Sequence, residues 1–424
     1  MRSILNGLFS SGSAEQCPAN RAQLEPSAVI AVLGAVLSFG GCADKAAKPP
    51  PSAVGVAYPR SDLAGVDSLD VYVENDIIHV LLAGPGDDSR IGLRYTRSED
   101  GGASWSPPST IATADAEPNH PHRGNDVQLA ARGNTVVAVW QVAGSGFKGS
   151  GPMRTAYSED GGVSWRAGSD PADDGGTGGH AFIDLAVDTG GAFHIVWLDS
   201  RAGKGQQGLF HARSADGGRS WSKNVTIEAK TCQCCWNTLT TCANGDLQVG
   251  YRQFLPRDMA LSRSFDGGET WRTVGVMGSF DWQVDFCPHV GGGLASGQDE
   301  GEFHATVWTG KAEDVGVHYT TSGDGGAIWS QPRRLGGKSA KNSDIAAGGE
   351  GQVAAGWDAV DSDASLIYGA ISDDGGLTFR TRVLRVSDEW LASHPRVIAT
   401  RFGFRVLWTE TRDEDAAVWA VAVL

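Results

Sequence analysis

Ser98-Glu99-Asp100-Gly101-Gly102-Ala103-Ser104-Trp105 decides the fold, because the same octapeptide pattern returns at 158–165, 214–221, 264–271, 322–329 and 372–379, the last ending in Phe379. Its chemistry is that of a tight turn. The aspartates Asp100, Asp160, Asp216, Asp266, Asp324 and Asp374 can accept backbone N–H groups, and the glycine pair supplies positive φ. The closing aromatic is placed to pack on a sheet. Successive copies start 50 to 60 residues apart, a period that marks an array of identical supersecondary units.

Two further apolar strands recur between these turns. The second usually ends in tryptophan, at Trp140, Trp197, Trp308, Trp357 and Trp408, with Tyr251 in the fourth unit and Leu81-Leu82 in the first. That makes seven units against six turns. The seventh, 394–424, has three strands and no turn motif, so its fourth strand has to come from elsewhere, and 54–58 is the obvious donor. Residues 54–424 divide into 53 per unit, the size of a four-stranded blade. The fold expected is an all-β, seven-bladed propeller closed by pairing of the N- and C-terminal strands, with six blades as the alternative.

Composition agrees with a folded protein: 424 residues, 41% hydrophobic, 58 Gly and 14 Trp. The formal charge of −15, with no basic tract, argues against a nucleic-acid partner. Ahead of the repeats, 28–40 is a single apolar run, too short to span a bilayer comfortably. It is followed by Phe39-Gly40-Gly41-Cys42, which resembles the bacterial lipoprotein box, although Phe39 stands where Leu is usual. The expected organisation is a lipoprotein signal peptide over 1–41, a lipidated Cys42, a tether over 42–53 and one propeller over 54–424. A plain secretory signal is the alternative. Either way the protein is expected to be exported; in the lipoprotein reading a lipid anchor holds it to a membrane, facing the periplasm or the cell surface.

The recurring octapeptide resembles the Asp box, the hallmark of the sialidase, or BNR-repeat, superfamily. That resemblance implies a structural role for the box, as the hairpin between the third and fourth strands of a blade, on the face away from any active site. It also sets seven units against the six blades of sialidases. Trp197-Leu-Asp199-Ser-Arg201, the cysteine cluster described below, Tyr251-Arg252, Arg257-Asp258 and 282–289 resemble, in that order, bacterial BNR-repeat proteins called sialidase-like. Sialidase chemistry calls for three arginines on a carboxylate, a tyrosine nucleophile with a glutamate, and an aspartate acid/base. Arg123, Arg252 and Arg396 are the arginine candidates, and Asp199, Asp258 and Glu410 the carboxylate candidates; for each, a solvated loop charge or salt bridge is the competing reading. No tyrosine stands out as a nucleophile. Tyr251 occupies a tryptophan's slot, and the superfamily's Arg-Ile-Pro motif is missing, with Tyr58-Pro59-Arg60 the nearest match. Ordinary neuraminidase activity is therefore not expected.

The loops leading into the first strands lie at the opposite end from the boxes. They carry Asn119-His120-Pro121-His122-Arg123, His180, Cys232-Gln233-Cys234-Cys235-Trp236, Cys287-Pro288-His289, Lys341-Asn342 and His394-Pro395-Arg396, which hold five of the ten His and four of the seven Cys. Cys232, Cys234, Cys235 and Cys287 can converge, because neighbouring blades bring these loops side by side. With His289, and with His120, His122, His180 and His394 as further candidates, they suit copper or zinc. A disulfide between Cys287 and one member of the cluster is the alternative, and incidental thiols a third; Cys242 lies at the far end of its strand. Three functions follow: soft-metal binding with copper ahead of zinc, a sialidase-like glycoside hydrolase or glycan-binding protein using the arginines, and a scaffold for a protein partner. Whether the protein is an enzyme, glycosidase or metal-dependent, is left open by the sequence.

Overall fold

The computed structural model describes residues 55–424, apart from 114–115, 123, 125, 145, 147–148, 176–178, 202, 204 and 414–415. Within them, runs of alternating burial bounded by the Gly-rich turns form seven four-stranded antiparallel sheets. The innermost strands of blades one to seven are Ser68–Glu74, Gln128–Arg132, His180–Val187, Thr238–Thr241, Gly292–Ser296, Ala340–Ala347 and Leu391–Thr400. The seventh sheet takes its outer strand from the start of the described chain: Val56–Ala57 pairs with Ala416–Val423, Val56 opposite Ala422 and Ala57 opposite Val421. The ring is therefore seven-bladed and closed by its two ends, as the count of repeats requires.

The boxes hold the outer hairpins in one repeated arrangement. In the first, the Ser98 hydroxyl accepts from Gly102 N (2.8 Å) and donates to Asp100 Oδ1 (2.8 Å), while Asp100 also accepts from Ser104 N (2.8 Å) and Ser104 Oγ (2.5 Å). These hydroxyl and amide donors hold the Asp100 carboxyl down at about 2. The fifth box has Ile328 where the others have Ser or Thr, and Asp324 keeps only the backbone bond there (2.9 Å). The second glycine of the second to sixth boxes sits against the preceding blade, and in the first box the first glycine, Gly101, does so against Phe402. A β-carbon on Gly162 would run into the Tyr95 ring, on Gly268 into His211, and on Gly376 into Tyr319. Each box is thus a seat for its neighbour as well as a turn.

The apolar core lies between blades. Blade three offers Phe193, Ile195 and Trp197 to Val137 and Val139 of blade two, and blade seven offers Val406 and Trp408 to Ala354 and Ile367 of blade six. Burial of such side chains is worth roughly 1.5–3 kcal/mol each before entropy is subtracted.

One register position organises the axis. On every innermost strand, one residue pairs opposite the residue just before the aromatic position of the second strand: Asp70 with Leu81, Gln128 with Val139, Asp184 with Val196, Thr238 with Gly250, Gly292 with Val307, Asp344 with Gly356 and Arg396 with Leu407. Seven equivalent residues therefore face one channel. Just before three of them the register slips, at the positive-φ residues Phe182, Asn342 and His394.

Candidate functional site

The loops leading into blades four and five bring together the residues of the cysteine cluster. Cys234 and Cys287 are joined by a disulfide, with Cα atoms 6.0 Å apart. Cys232 and Cys235 are free thiols with sulfurs 3.1 Å apart. The sulfurs of Cys232, Cys234 and Cys235 all lie within 4.8 Å of one another, as do the ligand atoms of Cys234, Cys287 and His289. The thiol of Cys235 donating to it, with the guanidinium of Arg252 behind, brings Cys232 down to about 6 in spite of its burial. Burial pushes Cys235 well up. The pair thus presents one ready thiolate and one proton donor. Cys242 stands apart, donating to Gln248 Oε1 (3.3 Å).

The cluster is held from behind by residues that the sequence offers as catalytic. Arg252 is buried, and its guanidinium is spent on main-chain carbonyls: Nε (3.2 Å) and Nη2 (3.1 Å) donate to Val290 O, Nη2 to Trp308 O (2.9 Å) and Nη1 to Arg257 O (2.5 Å). Its own carbonyl accepts from Cys232 N (3.0 Å). One residue therefore ties the Cys232 loop to the stretch that carries Cys287 and His289. Asp258 does the same at the other end of that stretch, accepting from Asp281 N (2.8 Å) and Trp282 N (3.4 Å).

Arg396, the other of the two candidate arginines whose surroundings are described, closes the axial channel. Burial alone would lower its pKa, but Asp70, Asp344 and Asp184 outweigh that and raise it. Its Nη2 lies 3.4 Å from Asp70 Oδ1. Each of these aspartates also reaches across to the next blade: Asp70 accepts from Leu129 N (2.8 Å), Asp184 from Leu239 N (2.6 Å) and Asp344 from Val397 N (2.8 Å). Burial pushes the carboxyl of Asp70 up to about 6 and that of Asp184 to about 7, against the pull of Arg396. Above Arg396 opens a cavity of about 60 Å³, also lined by Asp67, Asp126, Trp236, Asn342, Asp344 and His394. Arg396 is the only arginine that lines it, so among the described residues the mouth is acidic and not rich in arginine. Arg123 lies outside the described residues, as does Cys42.

The remaining carboxylate candidates serve the fold. Asp199 accepts from the Trp197 indole (2.9 Å) and from Arg201 N (2.7 Å), Nε (2.9 Å) and Nη2 (2.7 Å). Glu410, wholly buried, accepts from the Trp408 indole (2.8 Å), from Arg385 Nε (3.0 Å) and Nη2 (3.0 Å), and from the Tyr58 hydroxyl (3.2 Å). The histidines divide. His289 joins the sulfurs; His394 lines the cavity with its ring 5.4 Å from that of Trp236. His120 Nε2 lies 3.7 Å from Asp67, and His122 sits two residues further along the same loop. His180 groups with Asp174 (3.3 Å) and Asp199 (3.4 Å), and not with the sulfurs.

Residues 84–283 match the model of the BNR repeat-like domain. That stretch carries a BNR repeat-like domain, within the seven-bladed propeller. No curated protein matches it. Among solved structures it is similar to a polysaccharide lyase, an ulvan lyase, at 10% identity and a TM-score of 0.55, over 86% of this chain and 93% of that one. A Hadza microbial sialidase aligns at 15% identity and a TM-score of 0.49, over 82% and 73%. The α-L-arabinanase of Penicillium chrysogenum aligns at 14% and 0.47, over 71% and 93%. At 10% identity the likeness to the lyase is one of fold.

Proposed function

We propose that this BNR-repeat propeller is an exported, membrane-anchored protein whose Cys–His cluster takes a soft metal ion, copper ahead of zinc. The observation that supports it is the convergence of four sulfurs and the His289 imidazole at one join between blades, held there by Arg252 and Asp258. Thiolate and imidazole donors suit Cu(I) and Zn(II). With the Cys234–Cys287 disulfide in place the thiols available are Cys232 and Cys235; reduction frees two more. Metal should raise the melting temperature of reduced protein, by the equivalent of about 2.7 kcal/mol at a hundredfold excess over Kd. Replacing Cys232 and Cys235 together by Ser should remove that gain. Reduced wild type that takes up neither ion overturns the reading. The anchor is tested separately: Cys42→Ser should abolish lipid labelling and release the protein from membranes, and unchanged retention would argue against it.

A second reading, glycan binding, is favoured by the axial cavity. Trp236, Asp67, Asp126, Asn342 and His394 combine an aromatic surface with hydrogen-bonding groups, the means by which polar ligands such as sugars are held. One fold relative is described as an ulvan lyase bound to an oligosaccharide of GlcA and Rha3S. The acidic lining points to neutral sugars, not sialic acid. Titration calorimetry with neutral oligosaccharides should give heats in wild type that Trp236→Ala loses, and no heat with any of them refutes this reading.

A further inference from the structure

We propose that the four cysteines form an internal disulfide relay, in which the buried dithiol Cys232/Cys235 and the Cys234–Cys287 disulfide exchange oxidation state. The inference stands on sulfur geometry and does not require a metal.

Three observations carry it. Cys232 and Cys235 have the Cys-x-x-Cys spacing of redox dithiols, masked in the sequence by Cys234 between them, and their sulfurs are 3.1 Å apart. Both sulfurs lie within 4.8 Å of Cys234, one half of the disulfide. Exposure then separates the pairs. Cys232, Cys234 and Cys235 are 1–3% exposed, whereas Cys287 is only half-buried and follows Phe286, which is 54% exposed. An external thiol can reach Cys287 and cannot reach the inner pair.

The exchange is balanced without an added oxidant. The Cys232 thiolate attacks Cys234 Sγ; a Cys232–Cys234 bond forms, the Cys234–Cys287 bond breaks, and its electron pair leaves on Cys287. Cys235 then gives its proton to the Cys287 thiolate and attacks Cys232 Sγ, forming Cys232–Cys235 and releasing Cys234 as thiolate. One disulfide is consumed, one is made, and two electrons move from the inner pair to the outer. An external dithiol or disulfide of low molecular weight, meeting Cys287, then sets the redox state of sulfurs it never touches.

The test uses the full exported protein with a chelator present. It is equilibrated in glutathione buffers of stepped ratio, quenched in acid, labelled at free thiols after unfolding, and mapped by mass spectrometry. In the one-disulfide population, both Cys234–Cys287 and Cys232–Cys235 should appear. Cys287→Ser should slow reduction of the inner disulfide at least tenfold, because among the described residues its sulfurs have no other exposed partner. Cys235→Ser allows only the first exchange, so Cys234–Cys287 and Cys232–Cys234 are the intramolecular disulfides open to it, and it supplies a control in which the relay is cut after that step. Finding Cys234–Cys287 alone at every ratio, with Cys232 and Cys235 always labelled as thiols, overturns the proposal. So does inner-pair reduction at an unchanged rate in Cys287→Ser.

Discussion

Replacing Arg396 by Met should expose how much of the ring's stability hangs on one guanidinium. Methionine keeps much of the side-chain length and removes the charge, leaving Asp70, Asp184 and Asp344 around the channel with no cation among them. Loss of one partner from a buried ionic cluster costs about 3–5 kcal/mol. For a domain of this size, at about 2.1 cal/mol/K of unfolding entropy per residue, that is roughly 4–6 °C in Tm. The pH dependence gives the more decisive sign. In the wild type the carboxyls of Asp70 and Asp184 stand at about 6 and about 7, above their ordinary value of 3.8. The native state therefore holds protons that the unfolded chain gives up. That contribution is fully present below pH 4 and is lost as the pH rises through 6 and 7; at about 1.4 kcal/mol per pH unit, Asp70 alone accounts for roughly 3 kcal/mol. Without Arg396 both carboxyls rise further, so the loss continues above pH 7, while at pH 5 the acids protonate and much of the penalty disappears. Thermal unfolding of both proteins at pH 5 and pH 8 checks this. The variant should fall behind at pH 8 by at least twice its deficit at pH 5. An equal deficit at both, or none, would show that the axial charges are screened by water and that the reasoning from burial is wrong.

Gly376→Ala should destabilise by on the order of 2–5 kcal/mol, since a β-carbon there meets the Tyr319 ring at φ +81°, whereas Gly375→Ala, at φ +67° with open space around it, should cost only about 1–2 kcal/mol; paired melting curves separate seat from turn. Glu410→Gln should cost about 3–5 kcal/mol in urea unfolding by leaving the buried Arg385 without its counter-charge. Deleting the residues through Tyr58 should unpair the edge of Ala416–Val423 and give concentration-dependent association in sedimentation, where the intact chain gives none.

The blade count was legible because turn chemistry is local: serine, aspartate and two glycines make the same hydrogen bonds wherever they occur, and a seventh unit lacking a fourth strand has one place to find it. The closing strand proved shorter than 54–58, and among the described residues it is Val56–Ala57. The arginines were legible as residues of the right face but not in their role. Whether Arg252 meets a ligand or three carbonyls depends on a loop about 40 residues away, and whether Arg396 is a rim charge or an axial plug depends on Asp70, Asp184 and Asp344 on three other blades. Their common register was hidden by the slips at Phe182, Asn342 and His394, each of which breaks the even alternation from which an inward face is read. The Cys232/Cys235 pair was in plain view, but Cys234, which belongs to the other pair, made the motif look like a single cluster.

The cysteine cluster and the axial cavity share a wall. Trp236 follows Cys235 directly and lines the cavity, with its indole nitrogen donating to Asp126 Oδ2 (3.3 Å). Gly291, two residues after His289, lines it as well and lies so close to Trp236 that a β-carbon could not be added without moving one of them. A change in the sulfurs, whether exchange of the disulfide or capture of a metal, therefore acts on backbone that also shapes the cavity. Arg252 ties the two loops together, its carbonyl accepting from Cys232 N and its guanidinium donating to Val290 O, while Asp258 holds Asp281 and Trp282, so a displacement of one loop is passed to the other. If the metal proposed for the join of blades four and five and the ligand proposed for the mouth both bind, they share one pair of loops, and each should alter the affinity of the other by the same factor.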